Sequence, residues 1–146
     1  MPSYEAVQAI RDTPDALLTC ILDMGEILLT SGAEIIRVED TLNRLCSAYG
    51  FTQINVFSIT SSIVLTVRTP GGRTLTQTRR IRARDTDLGR VEKVNALSRK
   101  LCAAPLPLED FQAQVEQLRL QYLLYPEGSA SYTEGKNTYQ KALTEA

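Results

Sequence analysis

A Ser31-Gly32 break separates two segments of helical periodicity, and it limits the possible folds of the chain more strongly than any other part of the sequence. Residues 15–30, before the break, are apolar around most of a helical circumference, which predicts a central, largely buried helix. Residues 33–49, after it, repeat apolar side chains at three- and four-residue steps, which predicts a second helix that ends at Gly50. Because the connection is so short, the two helices are expected to form an antiparallel hairpin.

The periodicity changes from that of a helix to that of a strand after the second helix. Residues 53–59 alternate between apolar and polar side chains, residues 62–67 are rich in β-branched side chains, and residues 73–84 alternate again. A Pro-Gly-Gly sequence at residues 70–72 is a strong turn signal between the last two segments. These segments predict a three-stranded antiparallel meander.

The predicted sheet has an inner face and a protected edge. Its third strand is expected to lie at an exposed edge, where the charges of four arginines discourage pairing with another chain. These arginines are Arg79, Arg80, Arg82 and Arg84. The core positions expected in the first strand are Ile54, Ile59 and either Val56 or Phe57.

Two further helices are predicted after the sheet. Asp87 is a suitable N-cap for a helix over residues 88–102, and two prolines separate that helix from a last one over residues 108–124. The fold class is therefore α+β, with an antiparallel helix hairpin, a three-stranded antiparallel sheet meander and then two further helices. The inward-facing residues expected in the first of these helices are Leu88, Val91, Val94, Leu97 and Leu101.

The length of 146 residues fits a single domain with its own core. We expect that domain over residues 1–126 and a polar tail, disordered or a weak terminal helix, over residues 127–146. The longest apolar stretch, residues 17–29, contains Asp23 and Glu26 and is shorter than the about 20 residues that cross a bilayer. The chain is therefore expected not to span a membrane.

No metal and no cofactor is predicted. The chain has no histidine, which removes the usual general base of hydrolases and the commonest zinc ligand. Its three widely spaced cysteines, Cys20, Cys46 and Cys102, suit neither a disulfide framework nor a zinc site. They are expected to be buried, reduced thiols in a cytosolic environment.

Five short sequence motifs follow one another along the chain. They are residues 25–34 (GEILLTSGAE), 37–41 (RVEDT), 59–66 (ITSSIVLT), 78–81 (TRRI) and the segment 87–99. In this order and at these separations they resemble the N-terminal domain of the threonine/serine exporter family. The first two resemble its helix hairpin, the third its strand pair, and the last two its third strand and the following helix.

The resemblance runs from about residue 14 to Tyr125-Pro126, which is similar to the junction before the first membrane helix in that family. Membrane helices follow there, whereas the polar tail follows here. The resemblance therefore implies a soluble accessory domain of an amino-acid (threonine/serine) or small-carboxylate exporter, acting in substrate binding, gating or assembly. It implies a place on the cytoplasmic side of the plasma (inner) membrane.

Three kinds of partner are expected, the first two from the same resemblance. The first is a set of membrane-embedded exporter helices, in the same or a separate chain. The second is a small amino or carboxylic acid, and the third is a further copy of the chain in a homo-oligomer. Nucleic acid is not expected, because aromatic residues make up only 6% of the chain and none alternates with the arginines.

The helix hairpin supplies the first candidate substrate-binding residues. Ser31 and Glu34 have the spacing of a capping box, and the start of a helix also attracts anionic groups such as an amino-acid carboxylate. Arg37 and Glu39 belong to the family signature, and the guanidinium of Arg37 can bind a carboxylate through two hydrogen bonds. Arg37 is equally well explained by a surface ion pair, for which Glu34 is available. Glu26 is expected to have a buried partner, or else to face a cleft.

The sheet supplies the remaining candidates. Thr60, Ser61 and Ser62 form a hydroxyl cluster that is explained by turn chemistry or, more specifically, by a small polar pocket. Arg79 and Arg80, across the sheet, would let such a pocket hold a small acid. No catalytic residue is assigned.

Two other classes of function stay open. A small-molecule hydrolase would need Ser31, Glu34, Glu39 and the hydroxyls of residues 60–62 to converge on one concave site. An oligomerisation or interaction module would need no ligand. The arginines in the middle of the chain also fit contact with anionic lipid headgroups, or a merely solubilising edge strand.

Overall fold

The structure, a computed structural model, describes residue 8 and residues 10–124. In this part of the chain, a short helical stretch at residues 10–12 precedes four longer helices and three strands. The helices are α1 (Pro14–Thr30), α2 (Ile35–Tyr49), α3 (Leu88–Ala103) and α4 (Leu108–Leu124), and the strands are β1 (Thr52–Ile59), β2 (Ser62–Arg68) and β3 (Thr74–Arg80). This order confirms the predicted α+β fold. The predicted junction at Tyr125-Pro126 and the polar tail lie outside the described residues.

The corner between α1 and α2 is a glycine-dependent turn. Gly32 takes a φ of 95°, in the left-handed region that favours glycine. The N–H of Ala33 donates to the Leu28 oxygen at 3.0 Å and the N–H of Gly32 donates to the Leu29 oxygen at 3.2 Å. This pair of bonds is a Schellman motif, which satisfies the last carbonyls of α1 and reverses the chain.

The capping box predicted at Ser31 and Glu34 is wrong. Helix α2 begins at Ile35, two residues later than predicted, with Glu34 as an N-cap whose side chain makes no capping hydrogen bond. Ser31 is instead the C-cap of α1 and donates its hydroxyl to the Ile27 oxygen. Because the chain reverses only after Ser31, the serine stays with the first helix and cannot cap the second.

The sheet is an antiparallel meander with the strand order β1-β2-β3, as predicted. Its inner face packs on α1 and α2 through side chains that are almost completely buried, namely Ile63, Leu65 and Val67. On its outer face Phe57 lies opposite Val64, and Val64 lies opposite Thr78. No described residue covers this outer face.

The prediction for the core of β1 is partly wrong. Ile54 and Val56 are half-buried on the inner face and share it with the buried Ser58. Ile59 is 44% exposed and Phe57 is 59% exposed. Successive side chains of a strand point to opposite faces, so Ile59 cannot share a face with Ile54.

The core is built around α1, which contacts α2, α3, α4 and the sheet. Leu17, Leu18, Ile21 and Leu28 of this helix are at most 1% exposed. Helices α1 and α2 therefore form a middle layer, with the sheet on one side and α3 and α4 on the other. Among the described helices, none is both long and apolar enough to cross a bilayer.

The cysteines are free thiols, as predicted. Cys20 and Cys46 are buried, and Cys102 is half-buried. Burial raises the pKa of the Cys20 and Cys46 thiols to about 12, with the charge of Asp23 adding to the effect at Cys20. Neither buried thiol is a thiolate nucleophile near neutral pH.

Candidate functional site

The segment of residues 81–87, between β3 and α3, is hydrogen-bonded both to the sheet and to the corner of the helix hairpin. The Ile81 N–H donates to the Ser61 oxygen in the β1–β2 turn at 2.8 Å. The Asp85 N–H donates to the Thr30 oxygen at the end of α1, also at 2.8 Å. The path of this segment is therefore fixed at both ends by backbone hydrogen bonds.

A buried arginine lies behind this segment, at the start of α3. Arg90 is 2% exposed, and its Nε donates to the hydroxyl of Ser31. Asp87 caps α3 by accepting the Arg90 backbone N–H at 3.0 Å, whereas its second carboxylate oxygen is buried without a hydrogen bond from a described residue. Burial lowers the pKa of Arg90, and the charges of Asp87 and Asp85 oppose that effect. Arg90 makes no ion pair within the described residues.

A second polar cluster joins α1, β3 and α4. Arg79 donates through Nη1 to Asp23 at 2.7 Å and also to Glu26, which confirms that Glu26 has an ionic partner. Arg119 of α4 places Nη2 2.9 Å from the same Asp23 oxygen and Nη1 3.6 Å from Glu26. Burial by itself would lower the pKa of Arg79, but the hydrogen bonds to Glu26 and Asp23 outweigh it and raise that pKa. These four half-buried charges neutralise one another.

An open groove with a volume of about 680 Å³ lies between the two clusters. Its charged lining residues are Glu26, Arg79, Arg80, Arg82, Arg84, Asp85 and Arg90, and Thr30 adds a hydroxyl. Glu26 is already engaged by arginines, and three of the lining arginines are exposed without an ion pair to any described residue. The groove therefore carries an excess of guanidinium groups, which favours binding of a carboxylate or another small oxyanion.

The predicted sheet residues are divided between the groove and its surroundings. Arg79 and Arg80 line it. Thr60 and Ser61 are exposed in the β1–β2 turn, and Ser62 begins β2 directly opposite Arg80. The hydroxyl cluster thus adjoins Arg80 but does not line the groove.

The predicted helix residues lie elsewhere. Glu39 accepts the Ser58 N–H at 2.9 Å and so binds α2 to the free edge of β1. Arg37 is exposed and lines a separate groove between α2 and α3. Glu34 is also exposed and does not pair with Arg37 within the described structure. Ser31 lies beneath Arg90, so the residues required for the hydrolase alternative do not share one lining.

Arg90 was missed because Leu88 was predicted to face the core instead. Leu88 is 70% exposed, whereas Val94 and Leu101 are completely buried. Counting back from Leu101 through Leu97 and Val94 in steps of four and three leads to position 90, not 88. The signal was therefore present in the helical period, although charged residues are rarely buried.

The described residues form an α+β domain of three layers with an arginine-lined groove at one end. Residues 19–130 match the family described as "Putative threonine/serine exporter". The chain belongs to this family, which confirms the resemblance drawn from the five motifs, and it is related to threonine/serine exporters. Neither the curated proteins nor the solved structures contain a match to it.

Proposed function

We propose that this domain is an accessory domain of a threonine/serine or small-carboxylate exporter, and that the arginine-lined groove binds the transported acid. One observation carries the proposal. At its base the groove has the buried Arg90, which forms no ion pair within the described residues although the charges of Asp87 and Asp85 act on it, and exposed arginines lie along its rim. Buried cations are normally paired, so an unpaired guanidinium next to an open groove marks a place for an external anion.

The groove also offers groups for the rest of an amino acid. Arg80 and Arg90 suit the α-carboxylate, because a guanidinium can donate two parallel hydrogen bonds to it. Asp85 suits the α-ammonium group, and Thr30 suits a side-chain hydroxyl. A small acid without the ammonium group would use the same arginines.

The proposal includes the partners and the place of the domain. Membrane-embedded exporter helices, in the same or a separate chain, would receive the acid from the groove, which would then act as a collector or a gate on the cytoplasmic side of the membrane. The domain would extend over residues 1–126. Its family membership supports this arrangement, since the family is one of exporters.

Isothermal titration of the full chain with threonine, serine and a small dicarboxylate tests the binding role. Weak, saturable binding of at least one of them is expected. Arg80→Ala should weaken it roughly tenfold or more, because a hydrogen bond to a charged group contributes about 1.5–3 kcal/mol. Arg37→Ala is the matched control, since it removes an equally exposed arginine from the other groove.

Three results would contradict parts of this proposal. If no acid gives heat, the domain does not collect the substrate, and gating or assembly is left. If Arg37→Ala abolishes binding and Arg80→Ala does not, the site is the groove between α2 and α3. If both variants weaken binding equally, the acid responds to the general positive charge rather than to a built site.

A further inference from the structure

The large exposed apolar side chains of the described residues lie at or next to one end of the domain. We call it the basic end and define it by the α1–α2 corner (residues 31–34), the β1–β2 turn (residues 60–61) and the segment of residues 81–87. Hydrogen bonds from Ile81 to Ser61 and from Asp87 to Ser31, at 2.8 and 2.9 Å, hold these three pieces together. The basic end is therefore one continuous surface.

Four large apolar residues are exposed in the described part of the chain, and all four lie at or next to the basic end. They are Ile36 (77% exposed), Leu88 (70%), Phe57 (59%) and Ile59 (44%). Leu88 directly follows the segment of residues 81–87, and Ile59 directly precedes the β1–β2 turn. Single exposed apolar residues are common on protein surfaces, but their concentration at one end indicates an interaction surface.

The same end carries exposed arginines that have no ion pair with a described residue. Arg37, Arg80, Arg82 and Arg84 are of this kind, with Glu34 and Asp85 among them. Away from this end, Arg44 and Arg73 are paired with carboxylates at 3.0 and 2.9 Å, whereas Arg11 and Arg68 are exposed and likewise have no ion pair with a described residue. Helices α2 and α3 both begin at the basic end and contribute positive partial charges there, and the C-terminus of α1 at the same corner offsets part of them.

From these features we infer that the basic end docks onto an anionic lipid surface, with Leu88 and Ile36 inserted between headgroups and the arginines on the phosphates. The α1–α2 corner, the β1–β2 turn and the two helix starts place isolated aliphatic side chains between arginines, and a headgroup layer accommodates both kinds of group. The net charge of the whole chain is −1, so any attraction to anionic lipid comes from this local surface and not from the molecule as a whole.

The direction of α4 agrees with this orientation. Phe111, in its first turn, stacks on Tyr49 at the far end of α2, with ring centroids 5.5 Å apart. Arg119, two turns later, reaches Asp23 and Glu26 in the half of α1 that leads to the basic end. Helix α4 therefore points its C-terminus toward the proposed lipid surface.

A single tryptophan tests the docking directly. The chain has no tryptophan, so Leu88→Trp introduces one reporter at an exposed position, and Thr74→Trp, at the opposite end of the sheet, is the control. With the full chain and vesicles of phosphatidylglycerol and phosphatidylcholine, the emission of Leu88→Trp should move to shorter wavelength and that of Thr74→Trp should not. Vesicles of phosphatidylcholine alone should shift neither. No shift at position 88, or equal shifts at both positions or with both lipids, would overturn the inference.

Vesicle sedimentation with two charge-matched double variants tests the arginines. Arg82→Gln with Arg84→Gln should weaken binding roughly tenfold or more, since each basic residue near an anionic surface contributes about 1 kcal/mol. Arg11→Gln with Arg68→Gln removes the same charge at the other end of the molecule and should have little effect. Equal losses would show attraction by net charge alone and reject the proposed orientation. Because no amino acid is present, the outcome is independent of substrate binding in the groove.

Discussion

At the scale of single residues, the Ser31 hydroxyl joins the end of α1 to the start of α3. It donates to the Ile27 oxygen and accepts from Arg90 Nε, and all three residues are buried. Its backbone oxygen also accepts the Asp87 N–H at 2.9 Å. Ser31 therefore supports the base of the proposed groove, although it does not line it.

This role predicts unequal effects of two substitutions. Ser31→Ala should lower the free energy of unfolding by about 1–3 kcal/mol, because Arg90 Nε is left buried without an acceptor. Glu34→Ala should change it by less than about 0.5 kcal/mol, because that side chain is exposed and makes no capping bond. Urea unfolding of the full chain measures both values. Similar losses for the two variants would support the capping box after all.

At the scale of secondary structure, α1 and α2 approach each other closely at Gly25. This glycine is buried, and a Cβ built on it would lie 2.8 Å from Leu42 Cδ1 and 3.0 Å from Cδ2. Leu42 is itself completely buried, so its side chain has little room to move away. The packing of the hairpin thus depends on the missing side chain.

Gly25→Ala is therefore expected to destabilise the domain, although alanine favours a helix by about 1 kcal/mol. The overlap with Leu42 costs about 1–3 kcal/mol, which outweighs that gain. Gly89→Ala is the control, because its Cβ would meet only Asp87 Oδ1 at 3.4 Å in an exposed first turn. It should be neutral or stabilising in thermal unfolding.

The same substitution in a Leu42→Ala protein tests whether the close approach of the two helices is the cause. In a Leu42→Ala variant the obstructing methyl groups are gone, so adding Gly25→Ala should become neutral or favourable. If it destabilises both backgrounds equally, the close approach of the two helices is not the cause.

At the scale of the whole molecule, buried thiols couple stability to alkaline pH. The pKa values of Cys20 and Cys46 rise on folding from 9.0 to about 12, chiefly because of burial. Above pH 9 the unfolded chain therefore loses protons that the folded protein retains. The corresponding stabilisation is complete below pH 9 and is lost as the pH rises toward 12.

Urea unfolding at a series of pH values above 9 should show this loss. Each thiol should contribute a decrease of up to about 1.4 kcal/mol per pH unit. Cys46→Ala should remove one such contribution and flatten the slope, whatever it does to the stability at pH 7. Cys102→Ala, which removes a half-buried thiol, should flatten it less. An unchanged slope in Cys46→Ala would contradict the burial of a neutral thiol in the folded state.

The order of the elements could be predicted from the sequence alone, because helical and strand periodicities and turn glycines act over a few residues. The hairpin break at Gly32, the turn at residues 70–72 and the cap at Asp87 were all readable in this way. The arginines of residues 79–84 were likewise explicit in the sequence, although β3 ends at Arg80, short of the predicted residue 84, and Arg79 lies on its inner face rather than protecting the edge. Family kinship followed from the same local motifs.

Which charged groups meet depends on how elements that are distant in sequence pack together. Arg79 donates a hydrogen bond to Asp23, which is 56 positions earlier in the sequence, and Arg90 donates one to Ser31, which is 59 positions earlier. Local periodicity gives the face on which a side chain lies, but not which distant element will be packed against that face. The groove forms where the segment of residues 81–87 is hydrogen-bonded to the β1–β2 turn and to the end of α1. Its existence therefore depends on how these elements pack and could not be predicted from local sequence.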